Sequence, residues 1–294
     1  MNTSDEALSI DWASAPKKVV EVISDHSEII KIYDGKKFMV WRCWNGPRDQ
    51  IPLILFHGGW GSWTHWLRVI PELIKKRTIF AVDFPGMGSS SDFHQSIDGG
   101  AMSRVVSKAV EKLIPDGHRY DLAGFSFGAV IGANVAAIHG NKCRNFVIIG
   151  AAGFGELHRI VDGIFIPEIS LSTKEADAIH ENNLKLLMLA NLASIDALAI
   201  YIHRRNIECG RFKSRRISKG EAFIHFIPKI KAKIGGIWGE LDSTGSGLEA
   251  ILEREKIVQR YQPDCRFDII KGCGHWVMYE KPEEFVGSLF RQLN

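Results

Sequence analysis

Short apolar segments recur along the chain, and their pattern changes at two places. Residues 28–33 and 37–44 read as two strands joined by Asp34-Gly35, a dipeptide typical of tight hairpin turns. From residue 51 the strand-like segments become continuously apolar, at 51–56, 78–82, 120–123 and 146–149, and helical patterns such as 65–76 and 102–114 alternate with them. This alternation predicts a parallel sheet covered on both faces, with the hairpin as an antiparallel edge.

The alternation stops between residues 154 and 227. Ser172 and Glu175 have the spacing of a helix-capping box, and we expect a helix from there to about residue 190. Strand-like segments return at 234–238 and 266–270. We therefore predict an α/β protein in three parts: a lead-in over residues 1–27, a core of eight mostly parallel strands over 28–153 and 228–294, and a helical insertion over 154–227.

The composition of the chain limits the kinds of partner that we expect for this protein. The 294 residues are 45% apolar and 24% charged, as in globular proteins, and a net charge of +3 provides no case for nucleic acid. The sequence has no apolar run that could span a bilayer, and its five scattered cysteines lack metal-site spacing. We therefore expect a cytoplasmic protein that acts on a small molecule without membrane, metal or cofactor, with a homodimer left open.

Three residues at predicted strand ends suggest nucleophilic catalysis. Ser126 lies in Gly124-Phe125-Ser126-Phe127-Gly128, between a buried strand and a small-residue helix. His275 follows the last strand in a glycine-rich loop, and Asp242 follows the strand before it. Because the carboxyl ends of parallel strands meet at one edge of a sheet, Ser126 can have His275 as its base and Asp242 as the acid that orients the base.

The order of these segments resembles the α/β-hydrolase superfamily. Two further segments carry the resemblance, namely His57-Gly58-Gly59-Trp60-Gly61 and residues 83–90, so that it extends from about residue 28 to the end. It implies an α/β-hydrolase fold with a helical cap at 154–227 and a catalytic triad of Ser126, Asp242 and His275. It also implies an oxyanion hole formed by the amides of Phe127 and Gly59, with Trp60 as the alternative to Gly59.

Other polar residues near strand ends compete for these roles. Glu156 stands at an alternative family position for the acid, and His57 is an alternative base that we interpret as structural. The remaining three are interpreted as non-catalytic: Asp83, Glu240 and Cys273.

Several residues bear on the substrate. A serine nucleophile argues against dehalogenase and epoxide hydrolase chemistry, which needs a carboxylate, and leaves acyl transfer to water. Trp60, Phe125 and Trp276 predict an apolar or aromatic pocket. The basic run over 203–216 is either a solvated cap surface or the source of an arginine that pairs with a substrate carboxylate.

We rank three functions on these grounds. The first is hydrolysis of a small, apolar or aromatic carboxylic ester or lactone. The second is carbon–carbon bond hydrolysis of meta-cleavage products, which are dienoic diketo acids. The third is a non-catalytic small-ligand receptor on the same fold.

Overall fold

The computed structural model describes residues 8–92, 99–159, 161–218 and 220–294, without the side chain of Arg216. One eight-stranded sheet forms its centre. The strands are β1 (Glu28–Asp34), β2 (Lys37–Trp44), β3 (Leu53–Phe56), β4 (Ile79–Asp83), β5 (Tyr120–Phe125), β6 (Cys143–Ile149), β7 (Lys233–Gly239) and β8 (Phe267–Ile270). Their order is β1-β2-β4-β3-β5-β6-β7-β8. β2 is antiparallel to β1 and β4, and the other pairs are parallel, which confirms the predicted fold class.

Helices cover both faces of the sheet. They are α1 (Pro16–Asp25), α2 (Ile70–Leu73), α3 (Gly99–Leu113), α4 (Phe127–His139), α5 (Thr173–Asn183), α6 (Ala197–Cys209), α7 (Arg215–Ser218), α8 (Ala222–Phe226), α9 (Leu248–Gln259), α10 (Val277–Glu280) and α11 (Pro282–Leu293). Leu53 and Leu55 of β3 belong to one buried apolar cluster, and Ile54 and Phe56 belong to the other. Because side chains alternate across a strand, the continuously apolar β3 fills two separate cores.

Local helix predictions are partly wrong. Residues 65–76 do not form one helix but a 3₁₀ turn at Trp63–Trp66 followed by the single turn of α2. Pro71 explains the break, because proline lacks an amide donor and disfavours a helical conformation in the residue before it. The capping box of Ser172 and Glu175 is confirmed, but α5 ends at Asn183 and continues as a π-helical turn to Met188.

The described elements between β6 and β7 are helices α5 to α8 and short turns. The division into core and cap stays a prediction, and residues 1–7 of the lead-in lie outside the described residues. The described part of the lead-in packs on the core: Val19 and Ile23 are buried, and the Trp44 indole donates to the Ile23 carbonyl at 2.8 Å. Among the described residues, no helix is long and apolar enough to cross a membrane.

Candidate active site

Ser126 occupies a strained turn between β5 and α4. Its backbone has φ 52° and ψ −112°, a region that costs a residue with a side chain about 1–3 kcal/mol. The Ser126 amide donates to the Ile149 carbonyl at 2.8 Å, which ties the turn to β6. A side chain at Gly128 would come within 2.4 Å of the Phe56 carbonyl oxygen. The flanking glycine is therefore a steric requirement of the turn, and Ser126 is held at the start of α4.

His275 and Asp242 come together beside this turn. Nδ1 of His275 lies 2.8 Å from Oδ2 of Asp242, and both side chains are almost fully buried. The Thr244 amide and hydroxyl both donate to the other Asp242 oxygen at 2.8 Å. With Nδ1–H donating to Asp242, Nε2 of His275 is left to accept a proton, and His275 lines the same cavity as Ser126.

The carboxyl group of Asp242 is held in its charged form. Burial by itself would raise the pKa of Asp242, but the adjacent His275 imidazole and the hydrogen bonds from His275 and Thr244 outweigh burial and lower the pKa below its ordinary value. An ionised Asp242 stabilises the imidazolium that forms when His275 takes a proton.

The loop after β3 presents amide groups toward the cavity. The Gly58 amide is already bonded to Nδ1 of buried His65 at 3.2 Å, so it cannot serve a substrate. Within the described chain, the amides of Gly59, Trp60 and Phe127 have no hydrogen-bond acceptor. Gly59 and Trp60 line the cavity, and Phe127 is the first residue of α4, where amides are unpaired and the helix dipole favours an anion. The geometry therefore leaves the predicted donors Gly59 and Phe127 available, and it does not choose between Gly59 and Trp60.

The predicted aromatic pocket needs one correction. Trp60 and Phe125 line the cavity that contains Ser126 and His275, and the Phe125 ring lies 4.8 Å from the His275 ring. Trp276 is not among the described residues that line it. Its indole donates to the His65 carbonyl at 2.8 Å and stacks on Tyr279, so Trp276 packs in the core.

The arginines of the basic run over 203–216 differ in position and in partner. Arg215 lines the cavity, and its guanidinium donates to the Val161 carbonyl at 2.6 Å. Arg204 pairs with Asp177, Arg205 pairs with Glu208, and Arg211 pairs with Asp92. The side chain of Arg216 lies outside the described part of the chain. Among the described side chains of this run, one arginine, Arg215, therefore lines the cavity, and it is also exposed to solvent.

The competing residues have other partners. His57 donates through Nδ1 to the Gly58 carbonyl and accepts through Nε2 from the Phe84 amide, and burial lowers its pKa to about 4. Asp83 accepts from the amides of Trp63 and Ser89. Among the described residues, none of the other three forms a hydrogen bond or an ion pair with His275: Glu156 is exposed, Glu240 accepts from the Gly272 amide, and the Cys273 thiol lies 3.6 Å from Glu280.

Sequence reasoning missed much of the cavity wall. The segment between β6 and β7 contributes apolar residues and two polar ones that carried no motif: Val161, Ile164, Leu187, Met188, His158 and Arg159. Thr244 was also missed, although a threonine two residues after an aspartate is a recognisable turn pattern in which the threonine can donate to the carboxylate. The described residues contain no cluster of three or more side chains that could hold a metal ion.

Known proteins resemble this chain in sequence. A model of the Alpha/beta hydrolase family matches residues 53–288. A 2-hydroxy-6-oxo-2,4-heptadienoate hydrolase from Pseudomonas putida is 32% identical over 252 residues, which cover 80% of this chain and 86% of that protein. The dihydrolipoyllysine-residue acetyltransferase component of an acetoin cleaving system, from the same species, is 34% identical over 111 residues. That match covers 38% of this chain and only 30% of the relative.

Solved structures share the fold at low identity. A membrane phospholipase A described as a bacterial virulence factor has a TM-score of 0.74 and 21% identity, over 95% of this chain and 90% of that one. A meta-cleavage product hydrolase has a TM-score of 0.68 and 16% identity, over 90% of this chain and 97% of that one. An esterase from Rhodococcus sp. has a TM-score of 0.70 and 18% identity, over 90% and 98%. At these identities the likeness concerns the fold alone.

Proposed function

This chain belongs to the alpha/beta hydrolase family, and from that premise we propose that it is a serine hydrolase of small, apolar or aromatic carboxylic esters or lactones. The observation that carries the proposal is one cavity lined by Ser126 and by His275, whose Nδ1 is held by Asp242 at 2.8 Å. That arrangement supplies a nucleophile, a base and an orienting acid at a single place.

The chemistry follows from the positions of these groups. Ser126 Oγ attacks the substrate carbonyl carbon while Nε2 of His275 takes its proton, and the carbonyl oxygen becomes an oxyanion. The amides of Phe127 and Gly59 donate to that oxyanion, and loss of one such donor typically costs about 3–4 kcal/mol of transition-state stabilisation. His275 then protonates the leaving oxygen, and a water activated by the same imidazole releases the acyl group from Ser126.

The cavity wall supports an apolar ligand. Phe125 from the core and Val161, Ile164, Leu187 and Met188 from the helical insertion surround the serine. Removal of apolar ligand surface from water contributes about 25 cal/mol per Å² and does not depend on direction. A small acyl or aryl group can therefore bind by burial, while the amides fix the reacting carbonyl.

A second candidate function is carbon–carbon bond hydrolysis of dienoic diketo acids. Two observations favour it: the heptadienoate hydrolase relative matches across 80% of the chain, and Arg159 and Arg215 line the cavity. A guanidinium can bind a substrate carboxylate through two hydrogen bonds. We rank it second because both arginines are exposed, and a solvated ion pair contributes only about 0–1 kcal/mol.

A substrate panel on purified protein tests the proposal. We expect turnover of p-nitrophenyl butyrate and p-nitrophenyl benzoate, its loss in Ser126→Ala, and labelling of Ser126 by a fluorophosphonate. Faster turnover of a dienoic diketo acid than of either ester would favour the second candidate. Tight binding of a ligand with no turnover of any ester, lactone or diketo acid would refute catalysis and support a receptor.

A further inference from the structure

One cap segment, residues 211–218, is fixed on the core at glycine positions, and we call it the docking segment. The Arg211 amide donates to the Gly86 carbonyl at 2.8 Å, and the Ser218 carbonyl accepts from the Gly153 amide at 3.1 Å. A side chain at Gly86 would lie 3.2 Å from Cβ of Phe212. Both ends of the docking segment are therefore fixed to the core by backbone hydrogen bonds.

Between these attachments, Ser214 lies against Gly59 in the loop after β3. A methyl group at Gly59 would come within 2.3 Å of the Ser214 Oγ and within 3.4 Å of its Cβ. Ser214 is 5% exposed, yet it lines the same cavity as Ser126 and Gly59. The Ser214 hydroxyl therefore lies directly beside Gly59, one of the two candidate oxyanion donors in the loop after β3.

The hydroxyl of Ser214 has no hydrogen-bond partner among the described residues, whereas its backbone carbonyl accepts from the amides of Ile217 and Ser218. A hydroxyl can donate once and accept twice, and because Ser214 lines the cavity its hydroxyl is available to a ligand atom. The next residue, Arg215, adds positive charge to the same wall of the cavity. Both features favour an oxygen atom on the ligand.

We propose that Ser214 is a specificity-determining residue that donates a hydrogen bond to a second oxygen, such as a keto oxygen, on the acyl group of the substrate. The inference rests on the proposed hydrolase function, because it assumes that the acyl carbonyl occupies the oxyanion hole. A site built to hydrogen-bond such an oxygen rejects an analogue that lacks it more strongly than an apolar pocket rejects an extra methyl group. The preferred substrates are therefore oxo-acyl esters rather than plain alkanoyl esters.

Two phenyl esters of similar shape test this. Phenyl 4-oxopentanoate carries a keto oxygen where phenyl 4-methylpentanoate carries a methyl group. In wild-type protein we expect a higher kcat/KM for the oxo ester. In Ser214→Ala we expect kcat/KM for the oxo ester to fall at least tenfold more than for the methyl ester, with an unchanged melting temperature. Lys213→Ala, an exposed neighbour in the docking segment, should leave the ratio between the two esters unchanged.

A binding measurement separates this inference from the proposed function. Ser126→Ala should bind phenyl 4-oxopentanoate more tightly than the methyl ester by titration calorimetry, and addition of Ser214→Ala should abolish the preference. If wild-type protein hydrolyses neither ester but this binding pattern holds, the proposed function fails and the role of Ser214 stands. If Ser126→Ala shows no preference, or if Ser214→Ala weakens both esters equally, the role of Ser214 is overturned.

Discussion

Gly150, the residue directly after β6, packs against the contact between the proposed base and acid. Its φ is +50°, and its amide donates to the Ile237 carbonyl at 3.0 Å, so its backbone is tied to β7. A methyl group there would lie 2.9 Å from Nδ1 of His275 and 3.0 Å from Oδ2 of Asp242. Gly150→Ala therefore places a carbon atom against the donor and the acceptor of the His275–Asp242 hydrogen bond. Because the Gly150 backbone is bonded to β7, it cannot easily move away.

Gly150→Ala should have two separate effects, one on stability and one on kcat. A left-handed conformation costs a residue with a Cβ about 1–2 kcal/mol, which is a loss of stability. Ordinary van der Waals contact begins at 3.4 Å, so the contacts at 2.9 and 3.0 Å require His275 or Asp242 to move by about half an ångström. Catalytic groups tolerate misplacement of only about 0.5 Å, and a mispositioned acid lowers kcat by up to about 10⁴. We therefore expect kcat to fall between about 10²-fold and 10⁴-fold, or about 2.7–5.5 kcal/mol in the activation barrier.

Gly140, at the end of α4, provides the matched control. It has nearly the same φ, +54°, but a methyl group there would meet nothing within 4 Å. Gly140→Ala should also lose stability because of its positive φ, but it should keep its activity. The assay is kcat for p-nitrophenyl butyrate in both variants, with urea unfolding to measure stability. If Gly150→Ala retains a kcat within threefold of Gly140→Ala, the proposed catalytic role of the Asp242–His275 contact is refuted.

Three further predictions concern the acid, a buried cation and pH. Asp242→Asn should lower kcat by about 10⁴. Glu156→Gln changes an exposed side chain, so its kcat should stay within about twofold of wild type. The reverse result in steady-state assays would assign the acid to Glu156. Arg254 is fully buried and donates to the carbonyls of Thr244 and Gly245. Arg254→Met should therefore lower the free energy of unfolding by about 3 kcal/mol, and an unchanged urea midpoint would show that Arg254 does not stabilise the fold. Burial lowers the pKa of His203 to about 3, against about 6.5 in the unfolded chain. The folded state that keeps His203 neutral is therefore fully stable above about pH 6.5 and loses stability as the pH falls toward 3, because the unfolded chain binds the proton first. His203→Gln should make the loss of unfolding free energy between pH 7 and pH 5 shallower, and an equal loss in both proteins would show that His203 does not contribute.

The sequence by itself determined the architecture and the identity of the candidate triad. Buried parallel strands read as continuous apolar segments, and the carboxyl ends of such strands gather at one edge, so residues at strand ends can be assigned to one site without coordinates. The Gly-x-Ser-x-Gly pattern of the Ser126 turn can also be recognised locally, although the steric need for Gly128 comes from the Phe56 carbonyl of β3. These features depend on short stretches of chain and on one general rule of sheet topology.

Only the tertiary structure decided what surrounds Ser126. Trp276 and Trp60 are both aromatic residues in glycine-rich loops, but Trp276 bonds to the His65 carbonyl in the core while Trp60 lines the cavity. Similarly, nothing in the local sequence distinguishes Arg215, which reaches the cavity, from Arg204, which pairs with Asp177. The physical reason is that these positions are set by contacts between residues far apart in sequence, which no local pattern records.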